Sequence, residues 1–425
     1  MFTSRIRAGL ALALALLVAV PASAQSAPER WVGTWATAAV SSPSQPAAQP
    51  QPGLPAPAVF NNVTLRQFVH VSIGGSRVRV VFSNAFGTRA LALGGAHLAL
   101  RDQGSAIVAG SGRALTFSGA AMATIPPGSV LLSDPVPLPV APFADLAIDL
   151  FLPGDTSASP SPLTFHGGSR QVNYTSAPGS HLGATELPGA TALPSWYFLG
   201  RVEVVAPEGI DAVVAFGDSI TDGYNSTPDT NNRWPDHLAR RLSSAGKPMG
   251  VLNLGIDGNR VLADGAGIAA LARFDRDVIA APGVTHVFVL EGINDLGIPA
   301  LFKDYRPTVD ELIAGHRQLI ARAHAKGLKI YASTLLPYED TAIPGYYTAE
   351  GEAIRQAFNR WMRTSGEYDG IVDFDAVMRD PSQPGKMLAK YDSGDHLHPN
   401  DAGYAAMADA FDLAFVGVTP AAAVR

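Results

Sequence analysis

The chain has 425 residues, contains no Cys and carries a formal charge of −6. Lack of Cys excludes disulfides, thiol catalysis and thiolate metal sites, and a mildly acidic chain without a basic run is a poor partner for nucleic acid or an anionic membrane. That length suffices for two domains, each with its own core.

Arg5 and Arg7 precede an uncharged apolar run from Ala8 to Val20, followed by Pro21 and the small residues Ala22-Ser23-Ala24. This order is that of a secretory signal peptide, expected over residues 1–24, and the apolar run is too short to span a bilayer. No later segment offers a membrane span, so the mature protein is expected to be secreted or periplasmic.

Residues 25–205 read as an accessory β-domain, a β-sandwich or jelly roll. The runs Val63–Ser72, Arg77–Phe82, Leu91–Leu100 and Leu146–Leu152 are short and rich in Val and Leu, and Gly, Pro, Ser and Asn punctuate them. Such spacing predicts antiparallel strands joined by turns. The Pro-, Ala- and Gln-rich stretch from Ser41 to Pro57 predicts an extended loop. Few aromatics lie in this half, and most suit a sandwich core. A domain that braces the second half is therefore favoured over one that binds polysaccharide.

Residues 206–425 follow another pattern. Apolar strands are predicted at Ala212–Phe216, Gly250–Leu254, Val287–Leu290, Leu328–Ser333 and Ile371–Phe374. Helices are predicted between them, from Pro235 to about Gly246, Ile268–Ala280, Val309–Ala325 with a capping box at Thr308 and Glu311, and Glu350–Thr364. A last helix follows Pro399. Five strands alternating with helices make an α/β fold with a five-stranded, parallel, doubly wound sheet.

Ligands of such sheets bind beyond the carboxyl ends of the strands, and four polar segments fall there. Gly217-Asp218-Ser219 follows the first strand, Asn253-Leu254-Gly255-Ile256-Asp257-Gly258 the second, and Gly292-Ile293-Asn294-Asp295 the third. Asp395-His396-Leu397-His398-Pro399 precedes the last helix. A serine hydroxyl needs an adjacent base, and that base needs a partner to fix its tautomer, which points to Ser219, His398 and Asp395. The Ser219 and Gly258 N–H groups and the Asn294 amide are the available oxyanion donors. Thr221 stands where the α/β-hydrolase elbow has its second Gly. Asp395, His396 and His398 are not spaced as metal ligands, so no metal and no cofactor is expected.

These four segments resemble the conserved blocks of the SGNH, or GDSL, hydrolases, with Ile220 in place of the commoner Leu. The resemblance, over roughly residues 210 to 415, implies an SGNH or flavodoxin-like fold. It also implies Ser219, Asp395 and His398 as catalytic triad, and Ser219, Gly258 and Asn294 as oxyanion group. The strings Thr221-Asp222-Gly223-Tyr224 and Arg233-Trp234-Pro235-Asp236 look like a secreted XynE-like subgroup with an extra N-terminal β-domain, linked to carbohydrate esters. The expected activity is a serine esterase acting on a small-molecule or polysaccharide ester, with short acyl groups favoured. A lipase or thioesterase for longer chains and a non-catalytic polysaccharide binder are the alternatives. The polar loop Asn225–Arg233 and the loop Pro337–Tyr347, with Tyr338, Tyr346 and Tyr347, are expected near the cleft. The sequence leaves the oligomeric state open.

Overall fold

The computed structural model describes residues 29–42, 58–158, 161–302 and 304–418. The expected signal peptide at 1–24 and nearly all of the Pro-rich stretch lie outside the described residues.

Two large antiparallel sheets form most of the N-terminal half, beside a three-stranded sheet of Val40–Ser41, Thr164–Gly167 and Ser195–Tyr197 and a two-stranded one of Leu91–Leu93 and Ala123–Ile125. One large sheet contains the strands Trp31–Ala36, Leu199–Val205, Gly75–Ser83 and Val136–Val140, with Val130–Leu132 also pairing to Gly75–Ser83. The other has six strands, with Asn61–His70 and Asp145–Asp155 paired at its centre. Side chains from both, among them Leu65, Val69, Val80, Phe82, Ile148 and Val202, share one apolar core, as in a β-sandwich. The outer face of Asn61–His70 is buried too. There the fully buried Arg66 forms a bidentate pair with Asp149, at 2.7 and 2.8 Å. The expected strand Leu91–Leu100 splits into Leu91–Leu93 and Gly95–Leu100. Gly94 abuts the Phe151 ring, and Gly95 adopts φ +147°, a region that side chains avoid.

The C-terminal half holds a parallel sheet of five strands, in spatial order Gly250–Gly255, Ala212–Gly217, Val284–Leu290, Lys329–Ser333 and Gly370–Val372. The chain order therefore reverses about Ala212–Gly217, and the carboxyl end of that strand lies at the switch point. All six of its residues are buried, as a central parallel strand requires. Helices Trp234–Ser244, Val309–Ala325 and Ala349–Thr364 form where their caps predict, the second with both reciprocal bonds between Thr308 and Glu311. The helix expected from Ile268 begins at Ala270 and widens into a π-turn at Asp275–Ile279. A further helix, Ile293–Phe302, begins within the third polar segment. The last strand stops at Val372, because Asp373 accepts the Ala376 N–H and caps a short helix, Phe374–Met378.

The exposed edge of the parallel sheet is covered by the sandwich. Gly33 packs on Leu252 and donates its N–H to Pro282 O at 3.1 Å, and the Val251 N–H donates to Ser72 Oγ at 2.8 Å. A methyl group on Gly250 would meet Gly33 O at 2.0 Å, so only glycine allows this approach. Among the described residues no helix is long and apolar enough to cross a membrane.

Candidate active site

The site is built on the turn after the first parallel strand. A Cβ on Gly217 would meet Thr221 Oγ1 at 2.1 Å, so glycine lets a helix start directly at the strand end. Asp218 caps that helix, Ser219–Asp222, by accepting the Ile220 N–H at 2.9 Å, and Gly223 closes it at φ +96°. This geometry leaves Ser219 as the first helical residue, at the helix end where backbone N–H groups are free.

Ser219 Oγ lies 2.8 Å from His398 Nε2, and His398 Nδ1 lies 2.7 Å from Asp395 Oδ2. Asp395 Oδ1 also accepts the N–H groups of Leu397 and His398, at 3.0 and 2.8 Å, and its Oδ2 accepts Asn225 Nδ2 at 2.9 Å. Burial opposes the Asp395 charge, but the hydrogen bond and charge of His398 and the two backbone donors outweigh it. They hold the carboxyl well below the usual carboxylate range. Asp395 therefore stays ionised and orients the imidazole with Nε2 toward the serine. His396 turns away at φ +58° and pairs with Asp392. Among the described residues no cluster of three or more His, Asp or Glu side chains is placed to hold a metal ion.

The oxyanion candidates are positioned by groups on other elements. The Asn294 amide donates from Nδ2 to Asn259 O at 2.9 Å and accepts the Tyr346 hydroxyl at Oδ1, 2.8 Å away. A carbonyl can only accept and the tyrosine donates here, so this pair fixes which way the amide faces. One Nδ2 hydrogen is left for an incoming oxygen. Gly258 sits at φ +73°, where a Cβ would press on Ala266 at 3.0 Å. Asp295, next to Asn294, accepts the N–H groups of Val261 and Leu262 at 2.8 and 3.1 Å and so anchors the segment following Gly258.

Beneath the site, Arg273 is buried and makes five hydrogen bonds. Its partners are Gly217 O, Leu254 O, Asn259 Oδ1, Asp277 Oδ2 and Glu291 Oε1, at 2.8 to 3.1 Å. One guanidinium thus ties together the carboxyl ends of three parallel strands. Asp218 and Asp295 lie nearby in the same dry region. Burial, with the charge of Asp295 adding to it, pushes Asp218 up to about 7, and burial pushes Asp295 up to about 6.

The sandwich reaches this site. His166 Nδ1 bonds Ala38 O at 2.8 Å, and its Nε2 faces Asp222 Oδ1 at 2.9 Å. The loop Asn225–Arg233 docks against the segment Ser169–Val172. Asp229 donates its N–H to Arg170 O at 2.9 Å and accepts the Val172 N–H at 3.0 Å. Gln171 Nε2 donates to Asn231 Oδ1 at 2.6 Å, and the Arg233 guanidinium bonds Ser169 O. The same loop also bonds the hydrolase half, Asn225 to Ser393 and Asp395, and Thr227 and Asn232 to Asp401, so it lies between the site and the sandwich. Tyr338 and Tyr346 are both buried in the core, and Tyr346 also orients the Asn294 amide through its hydroxyl.

Sequence reasoning brought together Ser219, His398, Asp395, Asn294 and Gly258. It did not single out Asn225, Tyr346, Arg273 or His166. Tyr346 was visible only as one aromatic of three on a loop, and Arg273 only as a basic residue in a helix.

Residues 215–406 match the model of the GDSL-like lipase/acylhydrolase family. Comparison with curated proteins finds no match. Among solved structures the chain is similar to an acetyl xylan esterase from Geobacillus stearothermophilus (22% identity, 50% of this chain and 99% of that one, TM-score 0.38). It is also similar to an aryl esterase from M. smegmatis (15%, 49% and 100%, TM-score 0.40) and a GDSL-like lipase from Bacteroides thetaiotaomicron (19%, 50% and 92%, TM-score 0.39).

Proposed function

Residues 215–406 form a GDSL-like lipase/acylhydrolase domain, the fold of a carboxylic ester hydrolase, and on that premise we propose that Ser219 removes short acyl groups, acetyl above all, through an acyl-enzyme. The observation that carries the reading is the unbroken line from Ser219 Oγ through His398 to Asp395, at 2.8 and 2.7 Å. In the first half-reaction Oγ attacks the ester carbonyl while Nε2 of His398 takes its proton. The tetrahedral oxyanion is held by the Ser219 and Gly258 N–H groups and the Asn294 amide. The proton then passes to the departing alcohol, leaving the acyl group on Oγ. In the second, a water gives its proton to His398 and attacks the acyl carbonyl, and His398 returns that proton to Ser219 Oγ as the carboxylic acid departs.

The cleft rim supports a hydrophilic alcohol. Asn225, Ser393, Tyr224, Asp257 and Arg170 surround the site with polar groups, and no apolar segment of the sequence stands out as a lipase lid. Turnover of p-nitrophenyl acetate, butyrate and palmitate, alongside acetylated xylan, tests the reading. Acetyl esters should lead. Fastest turnover of palmitate would favour a lipase, and inertness on all four a non-catalytic binder. Activity should survive EDTA.

Two further parts belong to the same proposal. Export follows cleavage of residues 1–24, so the exported protein should begin at Gln25. The domain of residues 25–205 braces the hydrolase domain of residues 206–425, which the docking of His166 on Asp222 supports. Retention of residues 25–205 on insoluble xylan would overturn the bracing role.

A further inference from the structure

Of the contacts between the two halves, one leads directly to the base. The Tyr224 ring lies against the His398 imidazole, with centroids 4.4 Å apart and planes tilted by 39°. The Arg170 guanidinium carbon lies 4.6 Å from the same ring centroid. The tyrosine ring thus contacts both the arginine of the sandwich and the histidine of the hydrolase domain.

Both ends of this stack are fixed. The Tyr224 N–H donates to Ser219 O at 2.9 Å, and its carbonyl accepts the hydroxyl of the buried Tyr404 at 2.6 Å. The ring itself is 37% exposed, so the interior does not hold its outer side. Arg170 covers it. The arginine backbone is set in a left-handed turn at φ +52°, and its carbonyl accepts the Asp229 N–H. Its guanidinium approaches Asp257 at 3.4 Å. A guanidinium over a tyrosine face is held by the ring quadrupole, and the aliphatic stem adds packing area.

During turnover the Nε2 proton must be delivered first from Ser219 and then to the departing alcohol, so the imidazole must keep its plane while Oγ becomes acylated. Asp395 fixes only one edge of the ring. We infer that Arg170, contributed by the sandwich and acting through Tyr224, is a positioning residue for His398, and that the catalytic machinery is complete only when both halves are docked. The inference rests on the role of His398 proposed above.

The test uses the full chain and p-nitrophenyl acetate, with Arg170→Met, Arg170→Lys, Tyr224→Leu, Tyr224→Phe, the double variant Arg170→Met/Tyr224→Leu, and Ser219→Ala. Arg170→Met and Tyr224→Leu should each lower kcat roughly tenfold or more at unchanged KM, since small misplacements of a reacting group are costly. Tyr224→Phe keeps the ring and should lose less than Tyr224→Leu, and Arg170→Lys should recover part of the loss. The double variant should lose no more than Tyr224→Leu alone, because both act through one ring. Tyr224→Leu changes a partly exposed side chain and keeps the test open if Arg170→Met fails to fold. Parental kcat in both single variants, or losses that multiply in the double variant, would overturn the inference. If Ser219→Ala still turned over, the proposed function itself would fall; if it is dead while Arg170→Met and Tyr224→Leu are parental, only the positioning role falls.

Discussion

His166 and Asp222, one from each half of the chain, meet with Nε2 2.9 Å from Oδ1, and both are almost wholly buried. Asp222 lies in the helix that Ser219 opens, so the sandwich grips the turn that carries Ser219. Burial alone would neutralise Asp222. The charge and hydrogen bond of His166, with Arg233 and Arg170 nearby, hold it below its ordinary value.

Removing one partner of a buried pair leaves the other charge uncompensated. His166→Ala should therefore cost about 3–5 kcal/mol of stability, read as a lower urea midpoint at unchanged slope. An unchanged midpoint would show that the contact is energetically idle.

Deleting the proposed nucleophile and deleting a proposed oxyanion donor should be separable by magnitude. Ser219→Ala should lower kcat by roughly 10⁴-fold or more, and Asn294→Ala by roughly 10²- to 10³-fold. Tyr346→Phe keeps the packing on Gly297 but frees the Asn294 amide to rotate, so its loss should fall below that of Asn294→Ala. Steady-state kinetics beside far-UV circular dichroism checks the order. Tyr346→Phe matching the parent would mean that Asn259 O suffices to orient the amide.

Asp218 and Asp295 bind their protons more tightly folded than unfolded. Each adds stability fully below its unfolded value near 4, and that contribution is lost as pH rises through about 6 for Asp295 and about 7 for Asp218. Asp218→Asn is neutral throughout and keeps an oxygen for the Ile220 N–H. Its melting temperature should gain on the parent's as pH rises from 5 to 8. Parallel curves for the two proteins would rule out a neutral Asp218 in the folded state.

Residues 206–425 produced without the sandwich should aggregate or unfold readily. They would expose Leu252, Asp222 and the sheet edge that Trp31–Ala36 covers. Light scattering and esterase assay of the purified fragment decide this. A monomeric fragment with parental kcat would refute both this expectation and the stack on Tyr224.

Much of the site was legible because its chemistry sits in short local strings. Gly217-Asp218-Ser219 and Asp395 to His398 each hold their partners within one turn of chain, and the five apolar strands fix which edge those turns share. The helix Ile293–Phe302 was not legible, because Gly297 and Pro299 interrupt its pattern. The roles of Arg273, Arg170 and Tyr224 were not legible, although Tyr224 stood in the string Thr221-Asp222-Gly223-Tyr224. Their roles depend on residues brought together only by the packing of helix on sheet and of sandwich on hydrolase. The loop Asn225–Arg233 was expected as a feature of the cleft. Its Asn225 does reach the site, at Asp395, while Asp229, Asn231 and Arg233 also hold the sandwich.

That loop has a consequence for kindred chains. A single-domain hydrolase has nothing for an Asp229, Asn231 or Arg233 to hold, and in water such a tongue would only add disorder beside Asp395. Its length and its acid, amide and guanidinium composition should therefore travel together with a preceding sandwich. Read in an unaligned sequence, that short segment would announce a two-part enzyme before its first half had been inspected.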